Sequence, residues 1–305
     1  MTALVPLVAD ELETPAAPEV ADFARAIAGR CGGAAQAVLY YGSCLRSEDL
    51  ADSLLDFYLL VDSYDRAYTR RWMAVANRLI PPNVFYAEHE GLRAKFAVMT
   101  VDDFAHACSP DCDNASVWAR FAQPSRLVWV RGDAARARVI RAVAAAAPTL
   151  LKTARPMLDD DLGVEALWTG AFALTYASEL RSERSGRGRS IFEADPARYT
   201  AFTAPAIADS DLAAELRGGT VHFRADADRA HGRRTWGKLR RRGKLLSMLR
   251  LAKASFTFKG GVDYIAWKVN RHADAGIIVK PWHRRFPILA GLVFLPQLIR
   301  KGAIR

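Results

Sequence analysis

The sequence predicts an α/β protein, in which a domain with a small mixed sheet precedes a helical domain. Two apolar runs of strand length, Ala37–Tyr41 and Leu54–Val61, flank the dipeptide Gly42-Ser43 and a ten-residue connector. Runs of this length, separated by a turn signal, are typical of buried strands. From Asp133 onward the apolar spacing changes to the helical period, which indicates a second unit.

The first unit contains further strand and helix signals on both sides of this pair. Val20, Phe23, Ala24 and Ile27 lie on one face of a predicted helix that ends at Gly29. The later signals predict a helix from Asp65 to Ile80, stopped by Pro81-Pro82, strands at Val84–Ala87 and Arg93–Thr100 with a hairpin at Glu90-Gly91, and a strand at Arg126–Val130.

The second unit is predicted to be mainly helical. Its expected helices are Ala134–Ala147, Gly163–Arg184, Pro196–Ile207 and Leu212–Leu216. We therefore divide the chain into a flexible N-terminus (1–19), a sheet domain (20–132), a helical domain with a winged-helix arrangement as one option (133–230), and a basic amphipathic segment (231–305).

Charge is distributed unevenly along the chain. The net charge is +10, and residues 231–305 carry 18 Lys and Arg against 2 Asp and Glu, so the remainder is acidic. A basic segment of this kind indicates an anionic partner, either nucleic acid or lipid headgroups. Four cysteines in 305 residues do not indicate a disulfide framework, which favours a reducing compartment. We expect no signal peptide or mitochondrial presequence at the N-terminus.

The Gly-Ser turn and the Asp56 strand together predict a nucleotidyltransferase site. Gly42 lets the backbone approach a phosphate closely, and Ser43 with the following N–H groups can bind the phosphate chain. Asp56, inside an otherwise apolar strand, is a candidate ligand for the Mg²⁺ that bridges those phosphates. Many sites of this type carry a second carboxylate two residues later, where this chain has Tyr58, so Glu88 and Glu90 become candidates for the second ligand.

Several short blocks resemble one enzyme family. They are Tyr41-Gly42-Ser43, Leu55-Asp56-Phe57 with its following apolar residues, a helix with Trp72 and Asn77, Lys95–Met99, the positions Trp118, Arg120 and Pro124, and Phe256–Lys268. In this order they resemble the mitochondrial-type phosphatidate cytidylyltransferases, the translocator assembly and maintenance protein family. We expect a bacterial relative of that family, on a nucleotidyltransferase fold.

The resemblance implies an activity and its site. The family makes CDP-diacylglycerol from CTP and phosphatidic acid with Mg²⁺, so it implies the same substrates here. Asp56 would bind the metal with Glu88 as second ligand, and Asp56 and Lys95 would be catalytic. The nucleotide would contact Tyr41, Gly42, Ser43, Lys95 and Arg120.

Two basic segments are candidates for binding the acceptor. The segment 181–189 contains Arg184, Arg187 and Arg189. Their guanidinium groups suit hydrogen bonding to phosphate oxygens, so they are candidates for a clamp that binds the acceptor's phosphate. The C-terminal segment mixes Lys and Arg with aliphatic side chains, as in the apolar run Phe286–Ile299, which is shorter than the ~20 residues of a spanning helix. This aliphatic surface favours a membrane interface over nucleic acid.

The expected location is therefore peripheral, on the cytoplasmic face of the bacterial inner membrane. Two alternatives stay open at this point. One is a nucleotidyltransferase that acts on RNA or on another phosphorylated acceptor, since basic patches with aromatics also suit RNA. The other is a nucleotide-binding relative without catalytic activity, because the second strand carboxylate is replaced by Tyr58.

Overall fold

The chain folds around a five-stranded mixed sheet with helices on both faces. The computed structural model describes residues 3–46, 50, 53–178, 187–257 and 278–282. The sheet has the order β3-β4-β2-β1-β5, in which β2 and β4 are parallel and the other neighbours are antiparallel. Its strands are β1 (Ala35–Tyr41), β2 (Leu54–Val61), β3 (Asn83–His89), β4 (Leu92–Thr100) and β5 (Ser125–Val130). The predicted α/β class, all five predicted strands and the hairpin at Glu90-Gly91 are confirmed.

Alternating side chains of the sheet enter two separate hydrophobic clusters. Leu39, Tyr58 and Ala97 are paired across β1, β2 and β4 and belong to the first cluster. The neighbouring row, which includes Val38 and Leu59, belongs to the second. Because successive residues of a strand face opposite sides, each predicted strand needs an apolar cover on both faces.

The second cluster is covered by a helix that precedes β1 and by helices between β2 and β3. Helix α2 (Pro18–Gly29) places Phe23 against Phe57 with ring centroids 5.8 Å apart. The predicted helix Asp65–Ile80 is two helices, α3 (Tyr64–Ala67) and α4 (Arg71–Leu79). Tyr68 takes an extended conformation between them and packs its ring on Phe85 of β3, with centroids 6.1 Å apart, so this tertiary contact overrides the continuous helical pattern.

The N-terminus contributes to the first cluster. We expected residues 1–19 to be flexible, but residues Val5–Glu13 form helix α1, and Leu4, Val8 and Leu12 are fully buried or nearly so. These three side chains recur every four residues, which is the spacing of one helix face. The N-terminal segment is therefore part of the folded core.

The rest of the first cluster comes from helices that follow β4. These are α5 (Val101–Cys108), α6 (Trp118–Phe121), α7 (Asp133–Ala144), α8 (Ala146–Ala154), α9 (Val164–Ser178), α10 (Arg187–Glu193) and α11 (Pro196–Ala208). The cluster contains Leu39 of the sheet as well as Trp168 of α9. The two predicted domains thus share one hydrophobic core.

A small antiparallel sheet lies in the second half of the chain, with the order β6-β8-β7. Its strands are β6 (Asp161–Gly163), β7 (Ala214–Arg217) and β8 (Thr220–Phe223). The predicted helix Leu212–Leu216 is therefore wrong, because most of this segment forms β7. Gly218 and Gly219 have φ values of +55° and +80°, so they form a tight turn that pairs β7 with β8.

The described chain continues into a long helix, α12 (Arg229–Thr257). It packs through Trp236 and Leu239, which are buried in the first cluster. The predicted amphipathic segment extends beyond this helix, and its apolar run Phe286–Ile299 lies outside the described residues. Among the residues that the structure describes, no helix is both long enough and apolar enough to cross a bilayer.

Candidate functional site

A row of paired residues crosses the whole sheet at the end where β1 stops. Tyr41 pairs with Asp56 on one side and with Ser125 on the other, Asp56 pairs with Lys95, and Lys95 pairs with Tyr86. Directly paired residues project from the same face of a sheet. The register therefore brings Asp56 and Lys95, which are 39 positions apart in the sequence, to adjacent places at the edge of the first cluster.

The turn after β1 lies against the Asp56 carboxylate. Gly42 has a φ of +97°, and a Cβ at this position would lie 3.1 Å from Asp56 Oδ2. A 3-10 helix, Ser43–Arg46, follows directly, and Ser43 is exposed. The left-handed conformation and the close approach both require glycine. The predicted convergence of the Gly-Ser turn and Asp56 is thus present in the structure.

Asp56 is a partly buried carboxylate with an incompletely satisfied oxygen. Its side chain is 19% exposed, and Lys95 Nζ lies 3.1 Å from Oδ1. This ion pair does not have hydrogen-bond geometry, and the buried Oδ1 accepts no hydrogen bond from any described residue. A buried anionic oxygen is unfavourable unless a cation compensates it, and in this structure the Lys95 ammonium does so. The position is therefore suited to a hard cation that prefers oxygen ligands, such as Mg²⁺.

The position of a second strand carboxylate belongs to the hydrophobic core. Tyr58 is 3% exposed, and its ring packs against Tyr41, Phe104 and Phe121 at centroid distances of 5.4, 6.0 and 5.2 Å. This aromatic contact supports the sheet directly beneath Asp56. A metal ion at Asp56 cannot draw a ligand from the next residue of the same strand face.

Glu88 lies on β3, two strands away from Asp56. Its Oε1 accepts a hydrogen bond of 2.5 Å from Tyr86. A strand separation of ~4.8 Å and a rise of ~3.3 Å per residue place the two carboxylate residues about 12 Å apart at Cα. Among the described residues, no three His, Cys, Asp or Glu side chains form a metal-binding group. The structure does not bring Glu88 to Asp56, while Mg²⁺ can be held by one carboxylate plus substrate phosphates and water.

Arg120 lies on α6, which covers the end of the sheet near Tyr41. The next residue, Phe121, packs on Tyr41 with ring centroids 5.5 Å apart. The Arg120 guanidinium donates to the carbonyl oxygen of Ser116, one turn earlier in its own segment. Arg120 is therefore near the site in the fold, and its predicted contact with a nucleotide stays a prediction.

The predicted acceptor clamp is described in part. Arg184 and the side chain of Arg187 lie outside the described residues, although Arg187 is the first residue of α10. Arg189 forms ion pairs with Glu193 at 2.9 Å and with Glu165 at 3.5 Å. These carboxylates neutralise part of its charge, so the clamp remains a prediction.

Cys44 is a residue of this site that sequence reasoning did not select. Its thiol donates to the carbonyl oxygen of Leu54 at 3.3 Å, which ties the 3-10 helix after Gly42 to the start of β2. Burial raises the pKa of Cys44, and the nearby negative charge of Asp56 raises it further. The thiol therefore stays protonated and acts as an anchor of the turn. Its position directly after Gly42-Ser43 is the sequence signal that could have identified it.

A buried ion pair lies at the β5 end of the row of paired residues that crosses the sheet. Arg198 of α11 is bound to Glu11 of α1, and the side chains are 7% and 11% exposed. Arg198 also donates to the carbonyl oxygen of Ala122 at 3.1 Å, while Glu11 accepts from the backbone N–H of Ser125 at 3.3 Å. This pair connects two helices to the strand beside Tyr41.

Comparisons with known proteins add no family to this geometry. No protein-family model matches the sequence, and a search of curated proteins finds no match. Function is therefore inferred from the arrangement of Gly42, Asp56 and Lys95 and from the chemistry that these residues can perform.

Proposed function

We propose that the protein is a Mg²⁺-dependent nucleotidyltransferase that transfers CMP from CTP to phosphatidic acid, giving CDP-diacylglycerol and pyrophosphate. The observation that carries the proposal is the contact between the Gly42 turn and Asp56, whose Oδ1 is buried without a hydrogen-bond donor among the described residues. A backbone turn open to phosphate and a partly buried carboxylate beside the Lys95 ammonium are complementary to a metal-bound triphosphate.

The residues of the turn and of β4 would bind the triphosphate. Gly42 allows the phosphate chain to approach the backbone, and the exposed Ser43 hydroxyl and the N–H groups after it would donate to phosphate oxygens. Lys95, 44% exposed and beside Asp56, can turn its ammonium toward the same oxygens. Tyr41 supports the turn from β1, and Arg120 would contribute a further positive charge.

The metal would be held by Asp56 and by the substrate. When bound, Mg²⁺ would neutralise charge on the triphosphate and polarise the phosphorus that is attacked. Asp56 would orient the nucleotide by this bond, and its ion pair with Lys95 would keep both side chains in place before substrate binds. Glu88 as a second ligand would require a change from its present position on β3.

The reaction is an in-line substitution at the α-phosphorus of CTP. A phosphate oxygen of phosphatidic acid forms the new O–P bond, the bond between the α-phosphorus and the bridging oxygen breaks, and pyrophosphate leaves with the electron pair. A phosphate monoester is largely ionised near neutral pH, so the attacking oxygen needs no strong general base. Arg184, Arg187 and Arg189 would hold the acceptor phosphate, and the basic C-terminal segment would keep the enzyme on the cytoplasmic face of the bacterial inner membrane.

The proposal is tested with the purified full-length protein. Pyrophosphate release is measured with CTP, ATP or GTP, with and without phosphatidic acid and Mg²⁺. We expect release to require Mg²⁺ and phosphatidic acid and to be fastest with CTP. Asp56→Ala should abolish release while the circular-dichroism spectrum and melting transition are retained. Asp62→Ala, which removes an aspartate from the other end of the same strand region, is the matched control and should stay active.

A nucleotide-binding role without turnover is the second candidate. It is favoured by Tyr58, which fills the place of a second carboxylate with buried aromatic surface. Titration of labelled CTP, ATP and GTP in the presence of Mg²⁺ separates the two functions. Saturable, Asp56-dependent binding without pyrophosphate release for any acceptor would favour this candidate over the enzyme.

A further inference from the structure

Large apolar side chains are exposed mainly on two helices. In the described parts of the chain, six of the eight large exposed apolar residues lie on α4 and α12, and we call these six the α4/α12 face: Trp72, Val75, Leu79, Leu245, Met248 and Leu249. Leu79 is 73% exposed, and Trp72 is 44% exposed. An apolar cluster of this kind indicates an interaction surface.

Each helix presents these residues on the side that points away from the protein. On α4, Ala74 and Asn77 are buried against the sheet, and Asn77 donates to the carbonyl oxygen of Val98 at 2.9 Å. Trp72, Val75 and Leu79 lie about opposite to them at 100° per residue. The same holds on α12, where Trp236 and Leu239 are buried while Leu245, Met248 and Leu249 face outward. Each helix thus has one side buried against the protein and apolar residues exposed on the other side.

The two parts of the face meet at the end of α4. Arg250 donates to the carbonyl oxygen of Pro81 at 2.7 Å, and Lys253 donates to those of Ile80 and Pro82. Arg250 directly follows Leu249, and Ile80 directly follows Leu79. These hydrogen bonds therefore join α12 to the end of α4 close to the exposed Leu79 and Leu249.

The charge around the face is positive. Helix α12 contains no Asp or Glu and ten basic residues: Arg229, Arg233, Arg234, Lys238, Arg240, Arg241, Arg242, Lys244, Arg250 and Lys253. Arg70 and Arg71 are exposed at the start of α4, next to Trp72. Exposed aliphatic residues and a tryptophan surrounded by Lys and Arg match an interface in which apolar groups meet acyl chains and cations meet anionic headgroups.

We propose that the α4/α12 face docks on an anionic bilayer, with helix α4 as a membrane contact in addition to the C-terminal segment. Nucleic acid fits this face less well, because a phosphate backbone offers no apolar partner for the five exposed apolar side chains beside the tryptophan. The proposal deepens the proposed function, since it concerns how a lipid acceptor is reached, and its test does not depend on turnover.

The test compares two double variants of the full-length protein. Val75→Glu with Leu79→Glu places two charges on the α4/α12 face. Ala204→Glu with Ala208→Glu adds the same two charges, four residues apart, to the exposed side of α11 and is the matched control. Cosedimentation is measured with vesicles of phosphatidylcholine, with and without phosphatidylglycerol, which supplies negative charge without being the proposed acceptor.

We expect the wild type and the α11 variant to bind the anionic vesicles and the α4 variant to bind them at least about tenfold more weakly. All three should melt at similar temperatures, because the substituted residues are exposed. Unchanged vesicle binding by the α4 variant overturns the proposal. A lowered melting temperature with unchanged vesicle binding also overturns it, because it would mean that another part of the chain covers the face. Loss of RNA binding in a gel-shift assay without loss of vesicle binding overturns it as well.

Pyrophosphate release separates this proposal from the proposed function. With a water-soluble short-chain phosphatidic acid, the α4 variant should turn over like the wild type, and with vesicle-bound phosphatidic acid it should be slower. If no variant releases pyrophosphate with either acceptor, the proposed function fails, while the vesicle-binding result still decides the role of the α4/α12 face.

Discussion

Gly42 and Asp56 are in contact so close that a Cβ on Gly42 would lie 3.1 Å from Asp56 Oδ2. Gly42 directly follows β1 and Asp56 lies near the start of β2, and because these strands are antiparallel neighbours, the sheet register determines this contact. Backbone N–H groups after Gly42 and the carboxylate of Asp56 thereby border one space. A phosphate chain and its metal ion could bind there together.

Gly42→Ala should impair both stability and activity. The φ of +97° is unfavourable for alanine by about 1–2 kcal/mol, and the new methyl group would press on the carboxylate. Gly91→Ala is the control, because Gly91 has a φ of +81° but no atom within 4 Å of an added Cβ. Urea unfolding should show similar losses in both variants, whereas pyrophosphate release should fall by about tenfold or more for Gly42→Ala alone. Equal activity in the two variants would contradict a site at Gly42.

Lys95→Met should have opposite effects on the affinity for a divalent metal ion and on the affinity for the nucleotide. The Lys95 ammonium lies 3.1 Å from Asp56 Oδ1 and competes electrostatically with a divalent cation there. Removing it should tighten Mn²⁺ binding to the free protein by about three- to tenfold, as expected for a partly exposed ion pair. The same change should raise the KM for CTP, because a phosphate contact is lost. Electron paramagnetic resonance of Mn²⁺ and steady-state kinetics measure the two effects, and weaker Mn²⁺ binding would argue against Asp56 as a ligand.

Arg198→Met should destabilise the protein strongly. Arg198 and Glu11 are 7% and 11% exposed, so the variant leaves a buried carboxylate without its cation, at a cost of about 3–5 kcal/mol. Adding Glu11→Gln should recover part of this loss. Arg189→Met removes an exposed partner of Glu193 and should change the free energy of unfolding by less than about 1 kcal/mol. Urea denaturation distinguishes these outcomes, and similar losses in both Arg variants would show that the buried pair has no special role.

Lys253 should give the stability a distinct pH dependence. Burial lowers the pKa of Lys253 from 10.5 to about 8 in the folded protein, and the neighbouring Arg250 lowers it further. The unfolded chain therefore binds this proton more tightly, and the contribution of Lys253 to stability rises as the pH increases from about 8 to 10.5. Lys253→Met should abolish this rise, and Lys244→Met, an exposed lysine on the same helix, should retain it.

The measurement for Lys253 is the difference in unfolding free energy between wild type and variant across this pH range. The difference cancels the titration of the other lysines and tyrosines, which is common to both proteins. A constant difference between pH 8 and 10.5 would mean that the ammonium is solvated in the folded state.

Strands with a strong local pattern could be predicted from the sequence. The apolar run that contains Asp56 is long enough to identify β2, and Glu90-Gly91, with φ values of +47° and +81°, forms the expected turn between β3 and β4. Gly42-Ser43 followed by that strand also identified the centre of the candidate site. In each case the signal lies within a few neighbouring residues, where steric preference and side-chain alternation act directly.

Other elements depend on partners that are distant in sequence. Helix α1 is stabilised when Leu4, Val8 and Leu12 pack into the first cluster, and the hairpin of β7 and β8 is completed by the distant strand β6, which pairs with β8. The break at Tyr68 likewise depends on its contact with Phe85 of β3. Local propensity is weak compared with such burial, so a pattern read along the chain misassigned these segments.

The candidate site shows the same division. Gly42 and its neighbours identify a turn that can approach phosphate, and Asp56 is recognisable as an anion within an apolar strand. Both features follow from the local sequence. Whether Lys95 meets Asp56, and whether Tyr58 is a ligand position or part of the core, depends on the parallel register of β2 and β4 and on the helices that cover them. Register results from the simultaneous burial of both faces of the sheet, which is a property of the folded chain as a whole.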